Sequence, residues 1–385
     1  MIADLLFAAA VAWILYRAVT QYNCFRAIAL TADHPASRVS VIVPARNEAG
    51  NIGPCVDALL AQDYRRDQLQ IMVVDDDSSD TTAAEALAHG DDRIILIHAP
   101  PLPGGWTGKC NACWNGARGA SGDYLCFIDA DVRVLPPLLR CAVACAQSES
   151  IDMLSLEPFQ RMESCWERMI LPAGFLLLAA TQDLRSIDDP TKETAAANGQ
   201  FLLVRREVYE AVGGHAAVHS TVAEDGALAA RIKRAGYKVA LRDGSDLLQV
   251  RMYRSLSSLW EGLSKNIPEM LHGIAAALLS ALLASGLAIA SIALPIVAGI
   301  TLDRHPGSLH FAEFCLAVGP SLALLFTHVG IARHFRFPVW NALLFPLAYL
   351  LGAALVINSV IGHVRGRVSW KGRTYTPPQI PARVK

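Results

Sequence analysis

The stretch CFIDADVRV, residues 126–134, sets Asp129 and Asp131 into an otherwise apolar run. An ionised carboxylate buried without a partner is costly, so a pair at the end of such a run binds a cation or faces a polar site. Carboxylates at i and i+2 suit a divalent ion with oxygen ligands, Mg2+ or Mn2+, held against a nucleotide diphosphate. A second acidic group lies in VVDDDSSDTT, residues 73–82. Helix capping accounts for Ser78, Ser79 and Asp80 but leaves three adjacent carboxylates unexplained. A carboxylate there can accept the imide N–H of a uracil, with PARNE, residues 44–48, as a facing wall. A solvated loop is the plainer alternative for the triplet, and a chance match for the pair.

A third group, AED, places Glu224 and Asp225 at the start of a predicted helix, where the macrodipole favours negative charge. It is either a helix N-terminus and nothing more, or a site where Asp225 takes the proton of a hydroxyl that attacks a sugar carbon. Cations are available from Lys109 in GGWTGKCNACWNGA and from Arg242, Arg251 and Arg254, and they could offset the charge of a departing diphosphate. Gly104, Gly105 and Gly108 would let that loop approach a ligand closely. Solvated or headgroup-facing roles are the alternative for these basic residues.

The elements that must position these groups are seven short β-branched runs between residues 39 and about 245: VSVIVPA, LQIMVVDDD, RIILIHA, YLCFIDAD, IDMLSLEP, GQFLLVRR and YKVALRD. Helical stretches fall between most of them, including 48–62, 80–89 and 225–235. This is the pattern of an α/β sheet with crossover helices, in which ligands bind at the carboxyl ends of the strands. The acidic clusters all fall at such ends.

The 385 residues are 53% hydrophobic with a net charge of −1, which favours a membrane protein and gives no electrostatic footprint for nucleic acid. Nine cysteines form no regular framework, and Cys110 with Cys113 lacks the second pair that a zinc site requires. Residues 1–30 read as an uncleaved anchor whose Arg17 and Arg26 mark the cytoplasmic side. Residues 38–250 form the α/β domain, 251–272 an interfacial amphipathic helix, 273–364 membrane helices and 365–385 a basic tail. WERMILPAGFLLLAAT also reads as interfacial or as an ordinary core-facing helix. Three full spans after a cytoplasmic domain would put the basic tail outside, against the positive-inside rule. One of them is therefore expected to be re-entrant or interfacial, and Pro295 makes the first the suspect.

In order, PARNE, DDDSSD, GK, DAD, NG, GGH, AED and the later arginines resemble the family 2 glycosyltransferases of GT-A (Rossmann-like) fold, over about residues 38–255. The resemblance implies a nucleotide-sugar donor, a UDP-sugar by family frequency, and transfer with inversion. It places Pro44, Arg46, Glu48, Asp76, Lys109, Asp129, Arg251 and Arg254 around the donor, with Asp76 on the base and Asp131 on the metal and diphosphate. Asp225, with Glu224 beside it, would be the catalytic base. GWTGK, the anchor, the C-terminal membrane region and WKGR look like the membrane-bound bacterial branch that includes hopanoid-associated enzymes and relatives acting on carotenoid-type lipids. The acceptor is then a lipid hydroxyl at the cytoplasmic membrane, with the catalytic domain facing the cytoplasm. QVRMYR, residues 249–254, lacks the tryptophan of the processive synthases' Q-x-x-R-W, which favours one or a few transfers. A polysaccharide synthase and a non-catalytic scaffold retaining the fold are the alternatives.

Overall fold

The β-branched runs form strands because their alternate residues find apolar cover on both faces. The computed structural model describes residues 1–22, 26–265, 267–271, 273–366, 368–370 and 373–375. Its strands are β1 Val39–Ala45, β2 Leu69–Asp75, β3 Ile94–His98, β4 Tyr124–Ile128, β5 Val132–Val134, β6 Met153–Glu157, β7 Phe159–Gln160, β8 Phe201–Arg205, β9 Val239–Asp243 and β10 Leu248–Val250. Seven of them make one mixed sheet in the order β3-β2-β1-β4-β8-β6-β9. Val39, Val41 and Val43 enter the core under the helices at 52–60 and 138–148, while Ile42 joins Met72, Val74 and Phe127 in the opposite core.

Strand direction decides where the chemistry gathers. β1, β2 and β4 run parallel, so Arg46, Asp76 and Asp129 leave the sheet at one edge. β8 runs antiparallel to β4, which brings the residues before it, Asn198 and Gly199, to that same edge. β6 is antiparallel to β8 and ends there at Glu157. Pro44 sits in a central strand, normally a poor place for a residue without an N–H. It is tolerated because β4 pairs with β1 only through Ile42 opposite Phe127, leaving no partner strand on that side.

The seven expected strands all form; two of the expected helices are shorter, Ile52–Leu60 and Thr82–Leu87, and the third, Glu224–Arg234, is shifted by one residue. The first two are trimmed because Glu48 and Asp80 fold into loops: the Glu48 N–H donates to Thr82 Oγ1, and the Asp80 carboxylate accepts the N–H groups of Ala49 and Thr82. A second sheet of β5, β10 and β7 was not foreseen, since strands of two or three residues lie below any periodic signal.

Among the described residues four helical segments are long and apolar enough to cross a membrane: Ile2–Tyr22, Ile274–Arg304, Ser308–His334 and Val339–Val364. Pro295 does not break its helix, which is continuous over 31 residues. Both ends of the last segment pack beside the α/β domain. Near its start Phe337 packs with Ala332, Met162 and Tyr253, beside the α/β domain. Near its end Ser359 Oγ donates to the carbonyl of Ser264 at 2.5 Å, and Val360 packs on Leu271. Of the two suspected interfacial stretches, Cys165–Thr181 buries Met169 and Leu176 against Phe7 and Leu324, and Leu256–Ser264 buries Leu259 against Tyr253 and Phe337. These faces point into the protein. The basic tail beyond residue 375 lies outside the described residues.

Candidate active site

The three adjacent acids after β2 have three different fates. Asp75 accepts the Ser78 N–H at 3.1 Å and faces His98 at 3.2 Å, which closes the turn. Asp77 is 87% exposed and holds a positive φ of 61°, a conformation that Asp and Asn tolerate better than most residues. Asp76 is buried and turns inward to the guanidinium of Arg373. Arg46 locks the two loops together by donating to the carbonyls of Asp76 and Asp77 at 2.6 and 2.8 Å. Asn47, also at positive φ, accepts the Ser79 N–H at 2.9 Å. Glu48 accepts Asn51 Nδ2 at 2.9 Å while its N–H donates to Thr82 Oγ1, so it stiffens the loop rather than pointing at Asp76.

Lys109 is the junction of the site. Thr107 caps the helix Gly108–Gly119 by accepting the Cys110 N–H, so Lys109 leaves from the first turn. Its Nζ lies 2.8 Å from Asp129 Oδ1 and 2.8 Å from Glu224 Oε1. Burial alone would lower this ammonium, but Asp129 and Glu224 outweigh it and hold it protonated well above the usual range. Its charge is thus shared with carboxylates of the site itself. Asp225 accepts the Gly199 and Gly226 N–H groups, each at 2.8 Å. A methyl group on Gly199 would sit 3.1 Å from both Asp225 Oδ2 and Lys109 Nζ, so only glycine leaves that gap. Burial, reinforced by Glu224, pushes the Asp225 carboxyl up to about 6. Glu157, holding Asn198 Nδ2 at 3.0 Å, is pushed by burial to about 7.

The DAD pair diverges. Asp129 faces Lys109, while Asp131 lines a cavity of about 190 Å³ with Asn51, Arg133, Arg161, Glu163, Arg251 and Arg254. Among the described residues no three His, Cys, Asp or Glu side chains group to hold a metal alone. Mg2+ and Mn2+ in nucleotide sites need no such cage, because one or two carboxylates suffice when phosphate and water complete the shell. Asp131, on the cavity wall, fits that requirement as a single carboxylate, while Asp129 is held by Lys109.

Of the arginines expected as donor cations, one lies apart from the site and two line the Asp131 cavity. Arg242 is buried at the far side of the sheet against Glu149 and Asp188, each at 2.6 Å, and takes no part in the site. Arg251 pairs with Glu163 at 2.6 Å and Glu167 at 3.1 Å, and Arg254 donates to Asn51 Oδ1 at 2.9 Å. These two reach the Asp131 cavity, not Asp76. In GGH, His215 is buried against the Tyr209 hydroxyl at 2.9 Å, and burial pushes it down to about 3, so it is a neutral core residue. Cys110 and Cys113 are buried free thiols in the helix face that packs on the sheet. Two cationic residues were missed. Lys265, at the end of the helix Leu256–Ser264, feels Glu224, Lys109 and Asp129. Arg373 arrives 297 positions after Asp76, and no local pattern marks either residue.

The pattern of the glycosyl transferase family 2 matches residues 40–213, which hold Arg46, Asp76, Lys109, Asp129, Asp131 and Gly199. This match, with the relatives below, makes the chain a glycosyltransferase. Over most of its length this glycosyltransferase is similar to 4,4'-diaponeurosporenoate glycosyltransferases of Staphylococcus aureus. It is 26% identical to that of strain USA300 over 359 residues, and 27% identical to that of strain MRSA252 over 362, covering 91% of both chains each time. Among solved structures it resembles the mannosyltransferase PcManGT from Pyrobaculum calidifontis in complex with GDP-Man and Mn2+. The TM-score is 0.56 and the identity 17%, over 94% of this chain and 98% of that one. That likeness establishes the shared GT-A architecture of this glycosyltransferase.

Proposed function

We propose that the enzyme transfers a sugar, with inversion, from a nucleotide-sugar donor to a hydroxyl on an isoprenoid-type membrane lipid. The observation that carries this reading is the placement of Asp225. Its carboxyl is pushed up to about 6, is held by two backbone N–H groups and lies next to the Lys109 junction at the sheet's carboxyl edge. A base with a pKa near the working pH is suited to take a proton as a bond forms. The acceptor O–H gives its proton to Asp225, its oxygen attacks the anomeric carbon, and the bond from that carbon to the diphosphate breaks. Asp76 receives the nucleotide base. Asp131 would hold a divalent ion, which when bound neutralises charge on the leaving diphosphate. The isoprenoid acceptor is supported by the name of the staphylococcal relatives, and a hopanoid falls in the same class. UDP- and GDP-sugars are both candidates, the second because PcManGT was solved with GDP-Man.

In this reading three helices cross the cytoplasmic membrane of a bacterium, and the segment 339–364 dips in and returns. The N-terminus then lies outside and residue 366 inside, which reconciles the basic tail with the positive-inside rule. Alkaline phosphatase fused after residue 366 is expected to be inactive and a green fluorescent protein fused there to fluoresce. The opposite pair of results would make the last segment a full span.

The test of function is incubation of the purified enzyme in lipid nanodiscs with labelled UDP- and GDP-sugars, bacterial lipid extract and Mn2+ or Mg2+, followed by mass spectrometry. Lipids heavier by one sugar are expected, with transfer abolished by EDTA and restored by excess Mn2+. A ladder of products would mark a polymer synthase, and no transfer from any donor would remove the reading.

A further inference from the structure

The donor end of the site carries an ion pair whose cation comes from outside the catalytic domain. Strands β11, Val368–Trp370, and β12, Arg373–Tyr375, pair antiparallel after the last membrane segment. Arg373 opens β12 and donates through Nη1 to Asp76 Oδ2. The contact is confined: the Asp76 side chain is 7% exposed and that of Arg373 17%. A Cβ at Gly108 would collide with both groups, so this glycine, at the first turn of the helix that carries Lys109, makes room for the pair.

Charge balance gives the contact a meaning. Asp76, Asp129, Glu224 and Asp225 crowd the edge of the sheet, and Lys109 is shared between two of them. Arg251 is taken by Glu163 and Glu167, and Arg242 lies on the far side. A nucleoside diphosphate adds two or more negative charges, and the guanidinium is the side chain best shaped for phosphate and carboxylate together.

We propose that Arg373 is a donor-binding residue that completes the nucleotide pocket from the C-terminal end of the chain. It rests on the donor reading of Asp76. Through Nη1 the guanidinium orients the Asp76 carboxylate for the base, and when the nucleotide enters the same cation meets the diphosphate. The hairpin hangs from the last membrane segment, so donor affinity depends on the membrane region being in place beneath the domain.

The experiment is isothermal titration of the full-length enzyme in detergent with UDP and with GDP, each in MnCl2, comparing wild type with R373A, R373Q and R373K. Donor KM and kcat are measured alongside, and each variant is checked by thermal unfolding. For the nucleotide that wild type binds, R373A and R373Q are expected to weaken affinity by about tenfold or more, with R373K recovering part of the loss. Donor KM should rise in step while kcat at saturating donor stays within about threefold. R373K, the least disruptive change, decides the case if the other two do not fold: unchanged affinity would overturn the proposal. So would affinity within about twofold of wild type, or tighter, in a folded R373A or R373Q. Wild-type enzyme that binds neither nucleotide would remove the donor reading itself, and the proposal with it.

Discussion

Asp225→Asn should reduce transfer by about 10³-fold, within the usual range for removing a general base, while leaving donor affinity unchanged and raising thermal stability at pH 7.5. The two effects share one cause. The fold pushes the Asp225 carboxyl up to about 6, so the folded state favours its protonated form. That preference contributes stability below the ordinary carboxylate range, and the contribution is lost as pH rises through about 6. At pH 7.5 the ionised carboxylate beside Glu224 burdens the fold, and a neutral amide removes the burden. The group is only half-buried, so the gain is about 1–2 kcal/mol, less than the full shift would imply. Thermal melts of wild type and variant should differ at pH 7.5 and converge near pH 4.5. Wild-type kcat/KM should fall as pH drops through about 6, because the base is then protonated. Turnover in D225N above a few per cent of wild type would remove Asp225 as the base.

Lys109→Met should act in the opposite direction on stability and equally severely on activity. The ammonium bridges Asp129 and Glu224, with Asp225 also within its field. Removing it leaves three carboxylates around an apolar side chain. Breaking a buried ion pair from one side costs about 3–5 kcal/mol, and the one-third exposure of the Lys109 side chain reduces this to about 2–4 kcal/mol. Denaturant unfolding of the purified variant measures the loss, which should shrink at low pH as the orphaned acids protonate. Transfer should be undetectable in the lipid assay, because Asp129 and Asp225 lose the cation that sets their positions. Lys109→Arg is expected to recover stability in part and activity hardly at all, since a planar fork cannot reproduce a point charge bridging two oxygens at 2.8 Å. A K109M enzyme as stable as wild type would show that the bridge is not a structural element.

Much of the catalytic edge was readable from local pattern alone. Runs such as VSVIVPA and LQIMVVD can only be strands covered on both faces, and acids following them must emerge where parallel strands end. That placed Asp76, Asp129 and Asp131 on one edge, and the AED helix start brought Asp225 to it. The same reasoning could not rank the basic residues. Arg242, Arg251 and Arg254 look alike in sequence, yet one pairs across the far side of the sheet and two line the Asp131 cavity.

The sequence by itself determined the seven main strands, the glycosyltransferase motif order and the apolar segments, because each is a property of neighbouring residues: periodicity, capping and run length. Tertiary structure alone decided that Lys109 joins Asp129 to Glu224, that both ends of the last apolar segment pack beside the α/β domain, and that Arg373 meets Asp76 across 297 positions. Ion pairing depends on distances of a few ångströms between residues far apart in the chain, and no local propensity encodes such a distance.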